Sequence, residues 1–517
     1  DVIVGLLHEE FGPIRQTTHT RTYGAYAGIA GAAGERWTWD VGVHWDRERF
    51  AQRNTTLDGA KFAAALAADD PAGRFNPFVD ARAAGPVNAG LNPRLTATSF
   101  YDGTSELFGA SLVADGPVWT APAGDVQAAL GSDYDVARHH ASAQPASGAV
   151  TDASAQRHSK AVFAELFVPL VAREQAVPAV RRLGLQVAAR YQDDGAAGRS
   201  VDPKIGAVWA VSDEWTVRGG FSRAFRAPSL TEYERPQTTS VLTLTDPRRT
   251  PASTPGVTVV RGANPGAKPE RAKDEYLGLS VAPKGVPQLT FTADYHRIRQ
   301  RNVLQELSAP TIVRNEPLFP GRVTRAPATS QDSTLGQPGA ITAVDARLVN
   351  FGTTRTESLD LAVDYATAEH AWGRLRWHVA ATRVLAAEVA LTPGSAIDLT
   401  GDTAAPKRWR GLALAAWTRG AWSSAVFATH LSGFASNDAG NLSAPEGSSS
   451  MTVVNVNVGW TFQRGWRGGF GRGARLVVGI GNVFDRAPPF SDTVFGYNGG
   501  LHSPLGRSYE VSLNFPL

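Results

Sequence analysis

The stretch at residues 507–515, RSYEVSLNF, decides how the rest of the chain is read. Tyr509, Val511, Leu513 and Phe515 fall on one face of an extended chain, and Ser508, Glu510, Ser512 and Asn514 fall on the other. Successive side chains of a strand point to opposite sides, so this is a strand with one wholly apolar face. Residues 451–462, MTVVNVNVGWTF, repeat the pattern, with Val454, Val456, Val458, Trp460 and Phe462 against Asn455, Asn457, Gly459 and Thr461. Trp37, Trp39, Val41, Val43 and Trp45 alternate with Thr38, Asp40, Gly42, His44 and Asp46, and similar alternation runs through residues 289–296 and 358–365. About seventeen such segments can be counted, most near ten residues, and only residues 58–68 read as a short helix.

Strands this numerous could build soluble sandwiches, a propeller or a membrane barrel. Asp, His, Arg and Glu on the second face would be ruinous in a dry sandwich core, where an unpaired polar group costs roughly 1–3 kcal/mol. In a barrel the same residues face a wet lumen while the apolar face meets lipid. Link lengths favour the barrel. Short links at 212–214, 284–287, 367–372 and 418–421 alternate with long polar ones at 232–269, 305–345, 386–406, 433–450 and 485–505. Short turns on one rim and long loops on the other mark a transmembrane barrel, and no propeller-like repeat of about 40–45 residues is present. Trp37, Trp215, Trp372, Trp377, Trp417, Trp422, Trp460 and Trp466 sit near strand ends by the short turns, where an interfacial girdle wants amphipathic rings.

Composition agrees. The 517 residues contain no cysteine, which excludes disulfide scaffolds, thiolate metal sites and cysteine nucleophiles. No run of eighteen apolar residues occurs, so spanning helices are excluded, but spanning strands need only about ten residues with every second one apolar. Lys and Arg total 51 against 48 Asp and Glu, a balance that gives no footprint for nucleic acid.

Residues 203–232, PKIGAVWAVSDEWTVRGGFSRAFRAPSLTE, resemble the signature stretch of TonB-dependent outer-membrane receptors. Further motifs follow in the family's order: Asn264-Pro265-Gly266-Ala267-Lys268-Pro269-Glu270 with Glu275 and Gly278, then Ala293-Asp294-Tyr295, then Asn350-Phe351-Gly352 with Leu359-Asp360. Asn482-Val483-Phe484-Asp485, Gly506-Arg507 and the terminal strand complete the set. Ala267 and Ser358 replace the usual leucine and glycine, and the usual terminal phenylalanine is replaced by Phe515-Pro516-Leu517. The resemblance implies an all-β, transmembrane antiparallel barrel of the 22-strand type, with about seventeen strands in this chain. Residues 1–517 would then be barrel throughout, and the family's N-terminal plug domain, TonB box and first strands are not visible in them. Direction suggests the same. The last strand must run down to the periplasm, and alternating links make the first clear strand, residues 21–30, another downward one, whereas a closed barrel begins upward.

By resemblance, the function is import of a bulky, scarce ligand of the siderophore-iron, cobalamin or oligosaccharide type across the bacterial outer membrane. This chain would supply the barrel wall and ligand-capturing loops. Implied partners are outer-membrane lipid, the TonB inner-membrane complex through the plug, the barrel assembly machinery and an extracellular small ligand. No enzymatic activity and no cofactor are implied. Alternatives are a passive porin-like channel and an outer-membrane barrel enzyme, although no Gly-x-Ser-x-Gly elbow occurs. Binding sites of this kind combine aromatics with a few charged anchors. The candidates are Arg218, Asp294, His296, His378 and Asn455 on the lumen face, with Tyr233, Arg235, Arg248, Arg249, Phe434, Phe490, Phe495 and Tyr497 in loops. Arg226 reads as a structural anchor. His139, His140 and His158 make a poor metal set, since adjacent strand residues face opposite ways. The tract RGWRGGFGRG at 464–473 reads as a periplasmic turn, not an RNA-binding segment.

Overall fold

The computed structural model describes residues 16–515, apart from positions 71, 77–87, 89, 145–149, 391–395, 399–406, 435–447, 464–472 and 492–495. Trp466, Phe495, Pro516, Leu517 and nearly all of the 464–473 tract lie outside the described residues.

The wall begins with β1 (Gln16–Ala33), β2 (Trp37–Leu57), β3 (Thr96–Ala121) and β4 (Gly124–Gln144). It continues through β5 (Thr151–Val171), β6 (Arg182–Asp193), β7 (Arg199–Ala210) and β8 (Trp215–Arg226). Two strands of a long link, β9 (Thr238–Thr245) and β10 (Ser253–Arg261), precede β11 (Glu270–Val281) and β12 (Leu289–Arg301). The next link carries β13 (Leu304–Gln305), β14 (Val323–Arg325), β15 (Ile341–Asp345) and β16 (Val349–Asn350). Then come β17 (Thr353–Ala366), β18 (Arg374–Ala390), the short β19 (Ala396–Asp398) and β20 (Trp409–Arg419). The last four are β21 (Trp422–Leu431), β22 (Met451–Thr461), β23 (Arg475–Gly481) and β24 (Ser508–Asn514). Setting aside the link strands and β19, seventeen strands pair in chain order as one antiparallel meander. The helix expected at 58–68 is Gly59–Leu66.

Alternation survives pairing. Val456 of β22 lies opposite Val426 and Ile480, and Asn457 lies opposite Ala425 and Gly479, so one face of three strands is apolar and the other small or polar. The links at 212–214, 284–287, 367–372 and 418–421 fall on one rim and those at 232–269, 305–345, 386–406, 433–450 and 485–505 on the other, as expected, although the short link 194–198 shares the rim of the long ones. The tryptophans gather beside the short links: Trp417 Nε1 donates to the Trp372 carbonyl at 2.8 Å, Trp209 Nε1 to Ala179 at 3.0 Å, and Trp422 packs edge-on against Trp460 at 4.4 Å.

Two features differ from the sequence reading. Strands β1 to β5 are 18–26 residues long, not near ten, because their alternation continues past the apolar band with polar residues on both faces. About ten residues suffice to span a bilayer, so the excess stands beyond it. Second, two of the long links are folded. Strands β14, β15, β10 and β9 form a separate four-stranded sheet in which β10 and β15 run parallel, bringing the 227–269 and 302–352 links together. Leu244, Val257, Val259, Ala309, Ile312, Val313, Phe319, Ile341 and Val344 form its core, and helix Ala309–Arg314, capped by the Ser308 hydroxyl, closes one side. Residues 238–245, TTSVLTLT, carry the same period-two signal as the wall, hidden by the Pro- and Gly-rich sequence around them.

Candidate functional site

The lumen-facing phase of β8, β11, β12 and β17 builds a concave patch. Arg218 is in register with Gly278, which is in register with Asp294, which is in register with Asp360; one step along, Gly220, Tyr276 and His296 form the next row. Side chains at those positions point inward because Val217, Leu277, Ala293 and Leu359 occupy the outward phase. Gly278 matters here: a Cβ would collide with the Tyr276 hydroxyl and Asp294 Oδ1, so the bare backbone lets the tyrosine lie across the row. The Tyr276 hydroxyl donates to Asp294 Oδ1 at 2.5 Å, Arg218 Nη2 donates to the same oxygen at 3.1 Å, and the Tyr276 and His296 rings pack at a tilt of 34°, 4.9 Å between centres. These groups, with Lys204, Asp274 and Phe167, line a cavity of about 740 Å³. It offers two cations, three carboxylates, an imidazole and three aromatic rings, which suits recognition of a polar molecule. Gly278→Ala is expected to tilt Tyr276 off Asp294 while leaving strand pairing intact. An unchanged tyrosine fluorescence environment and unchanged ligand affinity in that variant would refute the role given to this glycine.

Three of the predicted residues, Arg218, Asp294 and His296, are thus brought together. The others are placed elsewhere. His378 Nδ1 pairs with Asp364 Oδ1 at 2.8 Å, toward the short-link rim. Asn455 lines a second cavity of about 500 Å³ with Arg410, Asn482 and the buried His502, its Oδ1 accepting from the Asn482 backbone N–H at 2.8 Å. Burial, and then the nearby Lys407 charge, push the His502 imidazole below its ordinary range. Tyr233 ends the short helix Leu230–Tyr233, and Tyr497 is half-buried in the link before β24. Phe490 is exposed, and Phe434 is buried beneath the Lys407 ammonium, 4.0 Å from its ring centre.

The loop arginines are committed within the structure. Arg235 pairs with Glu306 at 3.0 Å, Arg248 with Glu316 at 3.2 Å, and Arg249 with Asp332 at 2.9 Å. Arg226 is an anchor: it forks onto Glu270 at 2.7 and 2.8 Å and onto Glu232 at 2.9 and 3.2 Å, tying the end of β8 to β11 and to the short helix. Burial would raise the Glu232 carboxyl, but Arg226 and the Ser229 N–H outweigh it and hold it low. The histidine set is split as its spacing requires: His139 bonds Ser105 on the inner face, while His140 bonds Ser154 on the outer one.

Sequence reading missed Tyr276, Asp274 and Arg410. The available signal was an aromatic in the polar phase of a strand, Asp274-x-Tyr276-x-Gly278, where a lumen side chain is expected to be small or polar.

Comparison with known proteins gives the same architecture. No curated protein sequence matches the chain. Among solved structures, a mutant ferric enterobactin receptor from Pseudomonas aeruginosa in complex with enterobactin superposes with a TM-score of 0.57 at 12% identity, over 98% of this chain and 72% of that one. A siderophore receptor from Acinetobacter baumannii gives 0.55 at 11% identity over 98% and 72%, and a ferric-catecholate import receptor from E. coli K12 gives 0.56 at 10% over 96% and 64%. At such identities these show a shared fold. The model of the TonB dependent receptor-like β-barrel matches residues 79–483, most of the chain, and with the ordered motifs and the seventeen-strand meander it places this protein in that family.

Proposed function

We propose that this chain is the wall and loop portion of an outer-membrane importer that captures a bulky, scarce ligand of the siderophore-iron class and passes it inward with energy from the TonB complex acting on a plug. The observation that carries the reading is the pairing of a polar, aromatic-bearing lumen cavity with a folded loop body on the long-link rim. An open channel has no use for either. Among the described residues, β1 pairs only with β2 and β24 only with β23, and the two run in the same direction. An antiparallel barrel closes only when further strands, odd in number, pair both edges, since lipid offers no partner for a free N–H. The reading therefore takes the chain as the later part of a 22-strand barrel, inserted by the barrel assembly machinery.

Ferric enterobactin, cobalamin and maltoheptaose titrated against the refolded protein, followed by tryptophan fluorescence, separate the ligand classes. Saturable binding of the ferric catecholate at micromolar concentration or below is expected, weakened about tenfold by Arg218→Ala, the loss of one charge-assisted contact. Binding of none of the three, with steady ion conduction in planar bilayers, would favour the passive channel, and hydrolysis of a lipid or peptide the enzyme.

A further inference from the structure

In a membrane barrel the inward phase of each strand is the wet one, and polar side chains are expected there. Strands β20 and β21 depart from that pattern. Leu412 of β20 follows Ala380 in the register, Leu414 pairs with Phe427 of β21, and Phe427 pairs with Asn455, so all three large apolar side chains fall in the lumen phase. Leu431 shares that phase beside Arg410, and Met451 and Val453 of β22 continue it opposite Leu431 and Thr429. A contiguous apolar patch on a wetted surface marks a contact with something apolar.

The patch is joined to the polar cavity around Arg218. Asp294 and Asp360 of that cavity also line a neck of about 250 Å³, whose other inward side chains are Ala362, Ala380, Thr382 and Leu412. Arg410 is shared in turn by the neck and by the cavity of about 500 Å³ at Asn455. Leu431, Met451, Val453, Leu501 and Leu505 line that outer cavity, and none of its lining residues is a carboxylate. The path climbs as it crosses the wall. Arg218 stands three residues from the short-link end of β8, whereas Arg410 stands one residue from the long-link end of β20, exposed where water reaches its charge. Three strand spacings of about 4.8 Å separate β12 from β20, so the path from Asp294 to Arg410 is roughly 14 Å long.

We propose that the imported ligand is an amphiphile, a polar chelate held at Arg218, Asp294 and Tyr276 with one acyl arm running through the neck past Ala380 and Leu412 to Leu431 and Val453. The proposal rests on the import reading and narrows its ligand class. The small side chains of Ala362 and Ala380 leave the neck open, and each methylene that enters removes apolar surface of arm and wall from water together. The arm trails toward the long-link rim, so the polar head leads into the lumen.

Ferric tris-catecholates bearing one acetyl, butanoyl or octanoyl arm are titrated against the folded chain in lipid nanodiscs by tryptophan fluorescence, folding being checked by heat-modifiable migration on electrophoresis. A fully buried methylene contributes about fourfold in affinity, so about twofold is expected in a groove open on one side, and the octanoyl form should bind roughly 16-fold more tightly than the butanoyl form. Leu412→Asn/Val453→Asn places in the patch the residue type that Asn455 and Asn457 already hold in the same phase, and should abolish most of that gain while leaving the acetyl form's affinity unchanged. Arg218→Ala should weaken all three forms by the same factor. Equal affinity of the three forms for the unaltered chain would overturn the proposal and leave the import reading standing, as for a patch that only seats another protein segment. A gain of the same size in the double-asparagine protein would assign it to partition into nanodisc lipid and would overturn the proposal too. Binding of none of the three would remove the import reading along with it.

Discussion

Val456→Arg is expected to weaken folding into a bilayer by about 2–4 kcal/mol, while Asn457→Arg, one residue along, should cost less than about 0.5 kcal/mol. Val456 is central in β22, flanked in register by Val426 and Ile480, and arginine there would put a guanidinium charge among aliphatic side chains facing lipid. Asn457 faces the lumen between Ala425 and Gly479, which leave room for a long side chain to reach water. The contrast isolates the face from strand propensity and from net charge, since both variants add the same residue to the same strand. Titration of folded fraction between denaturant and lipid vesicles reads it directly. Similar losses for both variants would show that the two faces are equivalent, and the lipid-and-lumen assignment would fall.

The second large effect belongs to the folded loop body. Arg325 Nη1 lies 2.6 Å from Asp246 and Nη2 2.6 Å from Glu316, and Arg248 reaches Glu316 from the other side. The Asp246 side chain is wholly shielded from solvent. Replacing Arg325 by methionine leaves that carboxylate buried and uncompensated, which typically costs about 3–5 kcal/mol. The loss should be local: amides of β10 and β15 exchange faster and the 302–352 link becomes sensitive to protease, while the wall keeps its protection. Asp246→Leu added to Arg325→Met should restore much of the protection, because it removes the stranded charge. Unchanged exchange in the single variant would show that the ion cluster does not hold the loops.

The same cluster sets an acid limit. Burial tends to raise the Asp246 carboxyl, but the Arg325 hydrogen bonds, the Arg248 backbone N–H and the charges of Arg325 and Arg249 hold it below the usual range, and the Arg325 bond holds Glu316 low against its own burial. Both carboxylates therefore titrate lower in the folded protein than in the unfolded chain. Their stabilisation is fully present above the unfolded values, near about 4, and is lost as pH falls through the folded ones. Loop protection should stay constant from about pH 8 to 5 and decline only below about 4; a decline centred near pH 6 would assign it to histidine instead.

The alternation that identifies Tyr509, Val511 and Leu513 as an outward face needs only neighbouring residues, because a strand repeats every two positions. By itself the sequence therefore determined the all-β class, the number of wall strands, which side of each strand is apolar, which rim carries the long links and, through the ordered motifs, the family. It also determined that Arg226 is an anchor by resemblance, though not what it anchors. The tertiary structure decided what lies beside what. Arg218 and Asp294 are 76 positions apart and meet only because β11 sits between β8 and β12 in one particular register, where a slip by one residue would turn Asp294 to lipid. The loop body is decided the same way, since β10 and β15 pair in parallel across 85 positions, as in Thr258 with Ala343. Periodicity is a local property of the chain, whereas register is a property of two chains of side chains packed together, and every candidate site in this protein is made of register.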